Sequence, residues 1–96
     1  RRPDAKAAQP CAIATTAAVF PDSQDLLAAR RARAAGRSPA PYLARAFTVT
    51  PSDRCELLSV PDCDGERAMA QVRFPDHSGA YGWLAPGAIT PNPCAR

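Results

Sequence analysis

Four cysteines, a single histidine and a pair of neighbouring aromatics are the residues of this chain with chemistry to offer. Cys11, Cys55, Cys63 and Cys94 lie 44, 8 and 31 positions apart, no CxxC pair occurs, and His77 is the only histidine. Zinc sites are built from closely spaced Cys and His ligands. None is supplied here, so the expectation is no metal, no cofactor and two disulfide bonds. Small exported domains use such bonds to offset a core too small to hold alone. Spacing favours a nested pairing, Cys55 with Cys63 and Cys11 with Cys94. Against it, a regular hairpin of residues 53–60 and 66–74 would put Cys63 at the tip, too far from Cys55 for a bond limited to about 7 Å between Cα atoms. The connectivity stays open at this level.

Catalysis finds little support. His77 is flanked by Asp76 and Ser78, but neighbours within one turn do not readily converge as nucleophile, base and orienter. Asp62 and Asp64 flank Cys63 beside Gly65, where aspartates are expected to hydrogen-bond a turn's backbone. They fall short of a calcium ligand set. The chain is therefore expected not to be an enzyme.

Binding is better represented. Tyr81 and Trp83 lie two apart, as on one face of a strand, and a paired strand would set Arg73, Gln71 and Met69 beside them. Such a ridge supplies contact area at low entropic cost; the competing expectation is that Trp83 lies beneath a helix or the N-terminal segment. Arg30, Arg33 and Arg37, with Arg31 alongside, recur at helical spacing. Residues 30–54 hold six arginines against Asp53 alone, whereas residues 55–76 hold five acids against Arg67 and Arg73. That asymmetry suits steering toward an acidic partner. The net charge is only +3, and of twelve basic residues all but Lys6 are arginine, a bias that with abundant Ala and Pro reads as GC-rich coding. No aromatic interleaves with the arginines, so nucleic acid is not an expected partner.

The elements that must position these groups fit one domain, since 96 residues cannot furnish two cores. Residues 1–10 read as a loose arm, and residues 11–96 as the folded unit. Residues 12–20 have the β-branched content of a strand. A helix is predicted over about 23–35, from an Asp22 or Ser23 cap to a Gly36 stop. Strands are predicted over 42–50, 53–60, 66–74 and 80–84. Alternation sends Ala68, Ala70, Val72 and Phe74 to one side, and closing the hairpin at Pro75–Gly79 pairs Arg73 with Tyr81 and Gln71 with Trp83. No apolar run approaches the roughly 18 residues of a membrane span. The chain opens on Arg-Arg-Pro-Asp rather than on a signal sequence, so it reads as the mature form of an exported protein, periplasmic or secreted.

From Val72-Arg-Phe through Gly79-Ala-Tyr-Gly-Trp-Leu84 to a Pro-Gly turn and Ile89, the chain resembles a bacterial Src-homology-3-like domain. The resemblance covers roughly residues 47–90. It implies a mainly β fold, a small barrel of about five strands, with the helix inserted in the first long loop and the disulfides as local additions. It also implies a non-catalytic module that binds a protein or cell-wall component. The second class in view is a small inhibitor or immunity protein that plugs an enzyme with a loop.

Overall fold

A computed structural model describes residues 9–94. Of the expected N-terminal arm, residues 1–8 lie outside the described residues, and Gln9 and Pro10 already belong to the first strand. The chain is mainly β. Strands β1 (Gln9–Ile13), β4 (Arg54–Leu57), β5 (Ala70–Phe74), β6 (Ala80–Leu84) and β7 (Ile89–Thr90) form one sheet in the order β6-β5-β4-β1-β7. Strands β2 (Ala17–Val19) and β3 (Phe47–Val49) form a second, two-stranded sheet. The expected barrel does not close, because β6 and β7 stand at opposite edges of the larger sheet.

Strand pairing follows side-chain parity. Ala70, Val72 and Phe74 face Leu84, Gly82 and Ala80 across β5 and β6, and the predicted register holds, Arg73 opposite Tyr81 and Gln71 opposite Trp83. A 3-10 turn at Pro75–His77 and the left-handed residues Ser78 (φ 60°) and Gly79 (φ 75°) reverse the chain. The main core gathers Ile13, Val19, Val49, Cys55, Val72, Phe74, Leu84 and Ile89 between the two sheets. Burying those aliphatic and aromatic side chains is worth roughly 1.5–3 kcal/mol each before chain entropy is counted.

Three expectations are corrected. The single strand foreseen over residues 12–20 is two, because the chain turns at Ala14–Thr16, where the Ala14 amide donates to Ala88 O at 2.7 Å. The turn lets β1 join the large sheet while β2 pairs with β3 and leads into Phe20, which bridges antiparallel to Trp83 of β6. The strand foreseen over 42–50 shrinks to β3, preceded by the short helix α2 (Ala40–Leu43), whose first turn carries Pro41 and whose Ala40 amide donates to Ser38 Oγ. The strands foreseen over 53–60 and 66–74 shorten to β4 and β5, leaving a long loop with a 3-10 turn at Gly65–Arg67.

The two disulfides are present, but the nested pairing is wrong. Cys11 bonds to Cys55 and Cys63 to Cys94. Cys11 and Cys55 are register partners in β1 and β4, with Cα atoms 4.9 Å apart. Cys63, far out on the β4–β5 loop, instead reaches the segment after β7.

The main helix, α1 (Ser23–Ala34), starts where predicted. Asp22 Oδ1 accepts the Gln24 amide at 2.9 Å, Asp25 lies in the first turn, and Gly36 with φ 74° ends the helix. Its buried side carries Leu26, Ala29 and Ala32. The alanines let the helix lie close on Phe20 and Met69, forming a second core cluster with Leu26 and Ala29. A close approach anchors this layer. Phe20 and Trp83 exchange backbone hydrogen bonds of 2.9 and 2.7 Å across Gly82, where a Cβ would stand 2.6 Å from Phe20 O. Among the described residues no helix is long and apolar enough to cross a membrane.

Candidate functional site

The predicted aromatic ridge is divided by the helix layer. Tyr81 remains 59% exposed and caps a cross-strand row with Arg73 and Glu56, whose Arg73 Nε to Glu56 Oε1 distance is 3.3 Å. Met69 is only 9% exposed and belongs to the second cluster, against which Trp83 is half-buried. Both point away from the main core, as alternation requires, but α1 covers them. Met69 is not free to touch a partner, and Trp83 offers only one side. Gln71, opposite Trp83, is half-exposed.

Ion pairing divides the arginines into two groups. Arg45 forks onto Asp25 with Nε–Oδ2 and Nη2–Oδ1 distances of 2.8 and 2.7 Å, and Arg54 holds Asp76 with Nη2–Oδ1 at 2.8 Å. The guanidinium of Arg45 holds the Asp25 carboxyl below its ordinary range, and that of Arg54 does the same for Asp76. With Arg73 on Glu56, three arginines are matched. The charge asymmetry of the sequence is therefore partly cancelled, because Arg45 and Arg54 meet acids distant in the chain. Arg30, Arg31, Arg33, Arg37 and Arg67 form no ion pair with a carboxylate among the described residues. They lie on or beside α1.

Two hollows flank this arginine face. One, of about 290 Å³, opens between α1, β2 and α2, with Phe20, Leu26, Ala29 and Leu43 as its apolar lining and Arg30 and Arg33 beside them. Its lining contains no acid. The other, of about 210 Å³, lies between α1 and the Gly65–Arg67 turn and is lined by Leu27, Ala34, Arg30, Arg31, Arg67 and Glu66. Arg30 borders both, and its Nη1 donates to the Glu66 carbonyl at 2.9 Å, which fixes the guanidinium while leaving further donors free. Arg31 and Arg33 are exposed. An apolar floor beside unmatched cations has the chemistry to hold an anion attached to an apolar body.

Sequence reasoning singled out Arg30, Arg31 and Arg33 on α1 and Arg37 just beyond its end, but missed Arg67 and the floor residues Phe20, Leu26 and Leu43. Nothing local places Arg67 next to α1. The floor residues carried a faint signal, being the large apolar side chains in and around an otherwise alanine-rich segment.

His77 takes part in a different arrangement. Its Nε2 lies 3.1 Å from Asp53 Oδ1, and its ring packs at a tilt against Phe47 and edge-to-face with Phe74, with centroids at 5.7 and 6.1 Å. The neighbour Asp76 turns instead to Arg54. Asp53 is held below its ordinary range chiefly by the Thr50 amide, with His77 adding to the effect. His77 and Asp53 thus fasten the β3–β4 turn to the β5–β6 turn, and no nucleophile is hydrogen-bonded to the ring among the described residues. Asp62 Oδ1 accepts the Asp64 amide at 2.9 Å, a turn-forming role. Among the described residues no three Cys, His, Asp or Glu side chains converge as a metal-binding group. Compared with known proteins, the chain matches no family model, no curated protein and no solved structure.

Proposed function

We propose that this protein is a non-catalytic, exported binding module, Src-homology-3-like in its larger sheet, that recognises an acidic protein or envelope component through the arginine face of α1. The observation that carries the reading is the division among the arginines. Arg45, Arg54 and Arg73 are matched to carboxylates, Arg45 with Asp25 at the start of α1, whereas Arg30, Arg31, Arg33 and Arg67 form no ion pair among the described residues and border the two apolar hollows. Unmatched guanidinium groups gain more from an incoming anion than groups already neutralised.

The strand order supports the Src-homology-3-like reading. In that fold a long loop follows the first strand, three strands then pair consecutively, and a 3-10 turn leads into a last strand beside the first. Here β4, β5 and β6 pair in sequence, a 3-10 turn at Pro86–Ala88 follows, and β7 pairs with β1. Two disulfides fit an oxidising compartment, and Cys63 is exposed, so its bond to Cys94 stands open to cellular reductants. That exposure favours export to the periplasm or the exterior.

The test is capture from an envelope fraction by the immobilised protein and by an Arg31→Glu/Arg33→Glu variant. The expected result is a discrete set of components released by moderate salt and lost in the variant. Equal capture by both proteins overturns the arginine-face reading. Recovery of one enzyme at equal stoichiometry, with its activity abolished, identifies an inhibitor instead.

A further inference from the structure

The two hollows beside α1 differ in a way that selects a ligand. Glu66 lines the smaller one and opposes an anion there, while the larger, of about 290 Å³, has Arg30 and Arg33 and no acid. Its floor combines the Phe20 ring, Leu26, Ala29 and Leu43. Arg30 and Arg33 are three apart on α1 and therefore neighbours on one helix face. Arg30 is half-buried and its Nη1 already donates to the carbonyl of Glu66, which lines the smaller hollow, so in the larger one Arg33 is the leading donor and Arg30 contributes its remaining N–H groups.

We propose that this hollow is a binding site for a carboxylate borne on a compact apolar group, the carboxylate forked by Arg33 and Arg30 and the apolar group resting on Phe20, Leu26 and Leu43. The inference deepens the anion-binding role given to α1 and rests on that reading. A planar carboxylate matches the guanidinium fork. The apolar floor requires an anion with a hydrocarbon body rather than a bare inorganic one. The volume limits that body to one side chain or a short acyl chain. Two sources carry this chemistry, the C-terminal residue of a peptide and a free short-chain carboxylic acid, and they differ in the amide group beside the carboxylate.

The test is calorimetric titration of the oxidised 96-residue protein with N-acetyl-leucine, N-acetyl-leucinamide, hexanoate and acetate. A ligand of this size in an open hollow should bind with a Kd on the order of 1 mM. Saturable binding of N-acetyl-leucine or hexanoate is expected, with the tighter of the two identifying the source. N-acetyl-leucinamide and acetate should each bind at least about 10-fold more weakly, one lacking the charge and the other the apolar body. Arg33→Gln, at an exposed position, should weaken the preferred acid about 10-fold, while Arg73→Gln on the sheet should leave it unchanged.

Two results overturn the proposal: N-acetyl-leucinamide binding as tightly as N-acetyl-leucine, or no saturable binding of either acid at about ten times the expected Kd. Salt-sensitive envelope capture that survives either result leaves the module reading standing. Carboxylate binding without any envelope capture has the reverse meaning.

Discussion

Replacing Gly82 with alanine tests how the helix layer is attached. A Cβ at this position would stand 2.6 Å from Phe20 O, 2.8 Å from Val19 Cγ1 and 3.0 Å from Phe20 C. Two of those atoms are backbone and have no rotamer by which to withdraw. To reach an ordinary 3.4 Å contact, the segment holding Phe20 must lift by about 0.8 Å from β6. That lift strains the paired bonds between Phe20 and Trp83, 2.9 and 2.7 Å in the native chain. Overpacking costs about 1–3 kcal/mol and weakened hydrogen bonds add about 1 kcal/mol, so a loss of about 3 kcal/mol is expected. For a domain of this size that corresponds to a fall in Tm of roughly 12–24 °C. Gly87 supplies the control: its Cβ would meet only Asn92 Nδ2, at 3.9 Å, so Gly87→Ala should change stability by less than about 0.5 kcal/mol. Urea melts followed by tryptophan fluorescence and circular dichroism measure both. Equal stability of the two variants would refute the close approach of β2 to β6 and, with it, the placement of α1 over Trp83.

The disulfides offer a second test, in which peptide mapping of the oxidised protein should recover Cys11 joined to Cys55 and Cys63 joined to Cys94. From sequence separations of 44 and 31, the chain-entropy model gives about 4.0 and 3.7 kcal/mol for the two bonds taken singly, so serine pairs at either should lower the urea midpoint by similar amounts. Iodide should quench Trp83 less than it quenches the unfolded chain, and Leu26→Ala should raise quenching while costing about 2–3 kcal/mol. Asp25, Asp53 and Asp76 all titrate below the ordinary 3.8 in the folded chain. Their stabilisation is thus fully present above that value and lost as pH falls through the lower folded-state values. Arg45→Gln should remove the Asp25 share of this acid sensitivity, seen as a shallower fall of Tm with pH.

The β5–β6 hairpin was legible because a short loop and strict alternation leave one register that keeps Val72, Phe74 and Leu84 together. The limits of α1 were legible from Asp22 and Gly36. The turn between β1 and β2 was not, since Ile13 and Val19 have the same parity and alternation runs on unbroken through the bend. Nor was α2, because Tyr42 and Leu43 suit a strand as readily as a helical turn. The disulfide pairing depends on which distant strand lies beside β1, and spacing carries no record of that. At the candidate site the arginines could be counted but not sorted. Which of them meet acids is decided by Asp25 lying near Arg45 and Asp76 near Arg54, contacts that exist only after folding.

The Cys11–Cys55 bond crosses β1 and β4 at the root of the segment that carries α1 and α2. Between Pro21 and Ala46 no side chain belongs to the main core; those that are buried in a core cluster pack in the second one. The segment is a separate layer, packed through the second cluster and mounted on a covalently closed base. If α1 has the binding role proposed for it, charge reversals at its exposed arginines would alter what is recognised while leaving the side chains of the main core in place.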